Sequence, residues 1–465
     1  MSPVFFSVSP PSPSFPPQFH FKSFKHLSPL KTTLKRPLFS TTTRSSLHVD
    51  PLESDPPLPS YVRTFWKWLA EEGVVSSTCP VRPAYVPEGL WLVPRRLWIN
   101  PDTVAASEIG YLCTDLKPWV AVSPFLIREK MRGNLPWWFY IDILPEQTDS
   151  TLYWSEEELA EIKGTLLLRM TREMKEHVES QYHKVKEEII SWHEQLFPSS
   201  ITLNGAFSHL RGQLVMLPPV DLINHSASIT REDNAEEING PAGLFSWDLL
   251  FCLKSTMLVK EGEQVFIQYG LKKSNADLAF YYGFVEPNTN RDSYTLTFNI
   301  SELDPFHREK LDIAAANDLG ETAYLDIFMD RPLPPAILPY LWLVALQETD
   351  AFLLEPVYKK SIWKTLELPV SHVNEELVCK MVIDACESAL SGYRTTVEQD
   401  EKLIQEGNLG YKLEIAVRVR VGEKRVKLNW IKLEYYHERR LKELGLVGEE
   451  GETYCQPKKD SIPTL

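Results

Sequence analysis

Two hydrophobic periods meet in this chain, and their order limits the folds open to it. Between Leu159 and Trp192 apolar residues step by three or four (Leu159, Ile162, Leu166, Met170, Met174, Val178, Tyr182, Val185, Ile189, Trp192), the stripe of one long amphipathic helix or of two stacked ones. Ser155 with Glu158 three residues on is a capping box before that stripe, and Trp154 and Leu159 stand where a hydrophobic staple would. From Leu214 to Ile300 the texture becomes β: "LVMLPPVDLI", "GLFSWDLLFCL", "EQVFIQYG" and "YTLTFNI" are separated by Gly, Asn and Asp, with one short helical interruption, "KSNADLAFYYGF". Beyond Asp304 helical spacing returns, as in "NEELVCKMVIDACESALSGYRTTVEQDEKL" and "LEYYHERRLKELGL". One segment there, "IAVRVRVGEKRVKL", alternates like a hairpin around a Gly-Glu turn. A block of strands between blocks of helices makes this an α+β chain.

The chain has 465 residues, room for two or three domains. Residues 1–49 contain no Asp or Glu, six Lys or Arg, and many Ser, Thr and Pro. That composition is an organellar transit peptide; its prolines break both a secretory apolar region and an amphipathic presequence helix, which favours the chloroplast stroma, with a disordered Pro/Ser tail as the alternative. A Pro-rich linker occupies 50–60, and "YVRTFWKWLAEEGVV" opens the mature part with Val62, Phe65, Trp66, Leu69 and Val74 at helical spacing. From Val81 to Trp98 short Pro-punctuated apolar runs read as strands.

Whole-chain net charge is −14, and without the six positive charges of the tail residues 50–465 carry −20. No basic block suits a nucleic-acid partner. The longest apolar segment, near "AILPYLWLVAL", is too short to cross a bilayer. Six scattered cysteines, at 79, 113, 252, 379, 386 and 455, include no C-x-x-C pair, which argues against structural zinc and for reduced thiols.

The chemistry gathers at "LVMLPPVDLINHSASI", where an apolar run ends in Asp221, Asn224, His225 and Ser226. Together with "VFIQYGLKKSNADLAFYYGFV", this stretch resembles the SET-domain protein lysine methyltransferases, and among them the plant family acting on the Rubisco large subunit. Further blocks match in order: "RRLWINPDTVAASEIG", "LPEQTDSTLYWSEEEL", "GPAGLFSWDLLF", "LPPAILPYLWLVAL", "TDAFLLE" and "LEYYHERRLK". The resemblance implies a β-rich SET domain over 61–304, split by a helical insert at about 105–205, and an all-α substrate-binding domain over 305–465. It implies S-adenosylmethionine as cofactor and lysines of stromal proteins as substrates, the Rubisco large subunit or fructose-bisphosphate aldolase, with a monomeric enzyme and no metal, nucleic acid or membrane. By the same resemblance Tyr269 carries the hydroxyl nearest the transferring methyl and Tyr282 walls the lysine channel. Asp221 lies toward the substrate lysine, and Glu88, Gly89, Leu90, Asn224 and His225 hold the cofactor. Four of them also have a plainer reading: Tyr269 and Tyr282 as half-buried aromatics, His225 as a core histidine and Asp221 as a turn former.

A lysine amine, with an ordinary pKa of about 10.4, loses its proton near pH 7.4 at a cost of about 4 kcal/mol. A sulfonium about 4 Å away repels the ammonium by the same order at an effective dielectric of about 20, so no dedicated base is required. Three departures from the family pattern fall on the site. Glu88-Gly89-Leu90 runs straight on to Trp91, without the second glycine and hairpin of the family. Gly205 and His209 stand where a basic helical stretch belongs. Glu236 replaces an aromatic wall. Each lost charge-assisted bond weakens cofactor binding by roughly 10- to 100-fold. A non-catalytic substrate-binding relative, a shortened splice form and a nucleoid scaffold are the competing readings.

Overall fold

The computed structural model describes residues 60–72, 74, 91–133, 137–144, 148–193, 195–197, 208–210, 213–218, 220–229, 235–241, 247–253, 266–287, 290–329, 333–355, 357–358, 361–366 and 370–431. In chain order these form α1 (Ser60–Glu71), β1 (Trp91–Pro94), α2 (Pro101–Ala105), α3 (Pro118–Arg132), α4 (Trp138–Ile143), α5 (Glu156–Ala160) and α6 (Leu166–Glu188). The strand-rich middle follows, with β2 (Ser208–Leu210), β3 (Gln213–Val215), β4 (Asn224–His225), β5 (Ala235–Pro241), β6 (Trp247–Leu253) and β7 (Phe266–Ile267). The remainder is α7 (Asn275–Tyr282), β8 (Ser293–Asn299), α8 (His307–Ala315), β9 (Thr322–Phe328), α9 (Leu338–Val344), α10 (Ile362–Thr365), α11 (His372–Ser391), α12 (Val397–Glu406) and α13 (Tyr411–Ile431). Two compact units result, Met1–Glu146 with Gln181–Tyr269, and Gln147–Ser180 with Gly270–Leu465. Among the described residues no helix is long and apolar enough to cross a membrane.

In the first unit β1, β6 and β5 form an antiparallel sheet in that order, with Trp91 and Ala235 both opposite Leu253. β2 pairs with β3, and β4 lies parallel to β7. The helical spacing read in "YVRTFWKWLAEEGVV" is realised in α1, which buries Phe65, Trp66, Trp68 and Leu69. Trp68 stacks on Phe139 of α4 at 6.1 Å, and Phe65 meets Tyr140 at 6.3 Å. The apolar run before Asp221 departs from expectation. It is a strand only to Val215, with an isolated bridge from Met216 to Ile99. Pro218 and Pro219 cannot donate to a ladder, and the chain turns instead through a 3-10 helix at Val220–Leu222.

In the second unit the expected capping box is present: Ser155 Oγ accepts from the Glu158 N–H, and the Glu158 carboxylate accepts from the Ser155 N–H at 2.8 Å. Trp154 and Leu159 are buried in one cluster with Ile162, Leu167 and Met174, against Ala276 and Phe280 of α7 and Ile415 and Val419 of α13. The helical stripe is broken after α5 at Gly164, whose φ of +88° and close approach to the Gly392 carbonyl leave no room for a Cβ. At its far end Trp192 is exposed. β8 and β9 form an antiparallel ribbon that turns Leu296, Phe298, Leu325 and Ile327 inward. The part beyond residue 305 is therefore not all-α, since β9 lies within it; "TAYLDIF" alternates with a strand's period of two.

The alternating segment near Val417 is also corrected. "IAVRVRVGEKRVKL" is the middle of α13, not a hairpin. Four of its charged residues, Arg420, Glu423, Lys424 and Lys427, are buried together with its valines: Arg420 and Lys424 bond the Asp400 carboxylate of α12, and Lys427 Nζ lies 3.2 Å from the Tyr294 ring centroid. Side chains buried on all sides leave no helical stripe to read, so the V-R-V-R spacing imitates a strand.

Candidate active site

β4 and β7 are only two residues each, and what they hold is concentrated at their ends. Asn224 pairs with Phe266 and His225 with Ile267, and the Ser226 N–H extends the pairing to the Ile267 carbonyl at 3.1 Å. Parallel pairing carries the chain after β7 alongside β4, bringing Tyr269 to His225 across 44 residues of sequence. The Tyr269 N–H donates to His225 Nδ1 at 3.2 Å, so Nδ1 is the accepting nitrogen and Nε2 carries the ring proton. Their rings lie 5.2 Å apart. The Tyr269 hydroxyl donates to the Ile223 carbonyl at 2.7 Å, one residue before β4. Gln268 Nε2 donates to the Ile229 carbonyl at 3.0 Å and ties down the loop that follows.

Asp221 is buried one turn upstream. Its Oδ2 accepts from the Leu217 N–H at 2.7 Å and from the Tyr140 hydroxyl at 2.6 Å. The Tyr140 hydroxyl is held well above its ordinary pKa by burial first, then by the Asp221 charge and bond, so it remains a donor. Asn224 is half-buried, and its carboxamide has no hydrogen-bond partner among the described residues. Asp221, Asn224, His225 and Tyr269 thus come together in the first unit. Glu88, Gly89 and Leu90 lie outside the described residues, as does the side chain of Glu236. Spacing could not have singled out Tyr140, Ile223 or Gln268. The only trace of Tyr140 is the aromatic density of "WWFYI".

Tyr282, in the second unit, is 1% exposed near the end of α7. That helix is defined at both ends. Ser274 and Asp277 form a capping box, and Gly283 closes the helix at φ +73°, where a Cβ would lie 2.3 Å from the Asp149 carbonyl carbon. Lys273 Nζ lies 4.4 Å from the Tyr281 ring centroid and 5.9 Å from that of Tyr282. Asn275 makes reciprocal bonds with the backbone of Glu286 at 2.8 and 3.1 Å, and its own N–H donates to Asp292 Oδ1 at 3.2 Å. Burial, with the nearby Glu423 charge adding to it against the Asn275 bond, pushes the Asp292 carboxyl up to about 6.

This raised value has a defined consequence. A carboxyl whose folded pKa exceeds its unfolded one stabilises the fold below the unfolded value of about 3.9 and loses that contribution as pH rises through about 6. Asp292→Asn removes the charge but keeps an acceptor for the Asn275 N–H. Urea denaturation should find the variant close to wild type at pH 4 and more stable by about 3 kcal/mol at pH 8. Equal stability at both pH values would show that the carboxylate is solvated in the fold.

Comparison with known proteins bears on this geometry. A solved structure titled the SET domain of LSMT bound to lysine and AdoHcy superposes with a TM-score of 0.74 at 52% identity, over 84% of this chain and 98% of that one. A second, Rubisco LSMT bound to AdoMet, superposes with a TM-score of 0.73 at 50% identity, over 84% and 98%. The fold, with Asn224-His225 beside Tyr269, is thus that of the SET-domain methyltransferases. The family model described as Rubisco LSMT substrate-binding matches residues 301–426. The ribulose-1,5 bisphosphate carboxylase/oxygenase large subunit N-methyltransferase of Nicotiana tabacum is 52% identical over 97% of this chain and 99% of its own. The [fructose-bisphosphate aldolase]-lysine N-methyltransferase of Arabidopsis thaliana is 55% identical over 85% of this chain and 89% of its own. The chain belongs to the Rubisco large-subunit lysine N-methyltransferase family. The tobacco alignment runs over 498 positions, more than the 465 residues of this chain, so it includes gaps on this chain's side.

Proposed function

We propose that the chain transfers methyl groups from S-adenosylmethionine to lysine side chains of the Rubisco large subunit or of fructose-bisphosphate aldolase, in the chloroplast stroma. The observation that carries this is the Tyr269 hydroxyl, fixed 2.7 Å from the Ile223 carbonyl beside the Asn224-His225 strand. The relatives quoted bear methyltransferase names and are called chloroplastic, which favours an enzyme over a non-catalytic relative. In this reading the SET domain covers 61–304 with its helical insert at about 105–205, and 305–465 engages the substrate protein. The enzyme acts as a monomer, without nucleic acid, membrane or metal.

The bound cofactor supplies a methyl group on a positive sulfur. The unpaired carboxamide of Asn224 fits a ligand that ends in a carboxylate and an amine, and its neighbour His225, with Nδ1 committed to the Tyr269 N–H, lends a rigid backbone. Glu88, Gly89 and Leu90 are assigned to the same ligand. Tyr269 orients the acceptor through a hydroxyl whose direction is set by its bond to the Ile223 carbonyl. Tyr282 walls the lysine channel, and Asp221 braces the turn on the lysine side. A lysine that has already released its proton to solvent would take the methyl group as the methyl–sulfur bond breaks and the neutral sulfide leaves, so what these residues would supply is alignment and, once the lysine is seated, exclusion of water. We place the alignment gaps at Leu90–Trp91 and near Gly205, where cofactor affinity is then lowered rather than abolished.

Calorimetric titration with S-adenosylmethionine, followed by mass spectrometry of Rubisco and aldolase incubated with enzyme and cofactor, tests the reading. Binding and a methylated lysine on one of the two proteins are expected. Binding without methylation of either would overturn the substrate, and no binding at high micromolar cofactor would overturn the enzyme.

A further inference from the structure

Tyr140 has no role in the scheme above, yet it is completely buried and joined directly to the site. Its ring is held against Phe65 of α1, and its hydroxyl reaches Asp221, 81 residues along the chain, at 2.6 Å. The same Asp221 oxygen accepts from the Leu217 N–H at 2.7 Å, while the Asp221 N–H donates back to the Leu217 carbonyl at 3.1 Å. Residues 217–221 are thereby closed into a ring that Tyr140 anchors to α4. Directly after it the Ile223 N–H bonds the Val220 carbonyl at 3.1 Å, and the Ile223 carbonyl receives the Tyr269 hydroxyl at 2.7 Å. A buried carboxyl costs free energy unless its oxygens are bonded, so the Tyr140 and Leu217 donors help to hold the turn rigid.

We infer that Tyr140 is a positioning residue for methyl transfer: through Asp221 it holds the turn whose Ile223 carbonyl sets the direction of the Tyr269 hydroxyl. This rests on the reading that Tyr269 works at the reacting centre. Tyr140 touches neither reactant. Its effect is on orientation, where displacements of about 1 Å change rates by on the order of 100-fold, and loss of one brace moves the hydroxyl by less than that.

A double-mutant cycle with Tyr269→Phe tests it, using the full chain, S-adenosylmethionine and the methylated protein, at a temperature where circular dichroism shows each variant folded. Tyr140→Phe alone should lower kcat about 10-fold with both KM values within about 2-fold, and should change kcat less than about 2-fold once Tyr269→Phe is present. Equal losses in both backgrounds, or no loss in the first, would overturn the role of Tyr140 while leaving Tyr269 intact. An unchanged kcat for Tyr269→Phe alone would overturn both. If Tyr140→Phe does not fold, Asp221→Asn in the same cycle replaces it, with the same dependence of its kcat effect on Tyr269 expected.

Discussion

Tyr269→Phe is expected to lower kcat for methyl transfer about 100-fold, with little change in cofactor affinity. The magnitude is that of removing one preorganised polar group from a reacting centre. The aromatic ring remains, with its backbone N–H still on His225 Nδ1, so the packing of the β4–β7 pair is kept. What disappears is an oxygen fixed by its bond to Ile223, able to accept weak C–H contacts from a methyl group carrying partial positive charge. The ground-state fold loses one hydrogen bond, about 1 kcal/mol, and leaves the Ile223 carbonyl without that donor. Single-turnover kinetics separate this from binding. A burst rate equal to wild type would remove the hydroxyl from the chemistry, and a cofactor Kd raised 100-fold would make it a ligand contact instead.

How much of this was legible in the sequence depends on how local the cause of each feature is. The α5 capping box and the α7 helix are local, and their residues announce them. The family blocks gave Asn224, His225 and Tyr269, and the structure brings these together through a parallel pairing that no local pattern encodes. Two errors have one physical source. "LVMLPP" reads as a strand until its prolines end the ladder, and "VRVRV" reads as a strand because charges usually mark a solvated face. In α13 four charges are inside, and partners outside the helix, among them Asp400 of α12, Tyr393 and Glu161, explain how they can be. Tyr140 was invisible for the same reason: its partner is 81 residues away and it follows three other aromatic residues, Trp137, Trp138 and Phe139.

Those buried charges lead to the largest stability effect expected in the chain. Asp400→Ala should destabilise the second unit by about 3–5 kcal/mol, the cost of leaving buried cations without their counter-ion. Asp400 is fully buried. It takes a two-pronged bond from Arg420, at 2.7 and 3.1 Å, one from Lys424 at 2.6 Å and one from the Thr395 hydroxyl at 2.9 Å. Burial opposes its charge, and the Arg420 and Lys424 bonds outweigh burial to hold the carboxyl below its ordinary pKa. Without it, Arg420 keeps Glu161, and Lys424 keeps the Thr395 hydroxyl, the Thr395 and Thr396 carbonyls and the face of the Tyr393 ring at 4.8 Å, none of which carries a full counter-charge for Lys424. Lys424 is already lowered by burial, and losing Asp400 lowers it further. A lysine depressed in the fold binds fewer protons there than when unfolded, so stability rises with pH, and the deficit of the variant should shrink between pH 7 and pH 9. It will not vanish, because Arg420 cannot release its proton. The exposed Arg425–Glu401 pair, at 2.6 Å, is a control in the same helices: Arg425→Ala should cost less than about 1 kcal/mol. Thermal and urea denaturation of both variants measure the contrast. If Asp400→Ala costs no more than Arg425→Ala, water reaches the charges of α13 and the buried network does not hold α12 and α13 together.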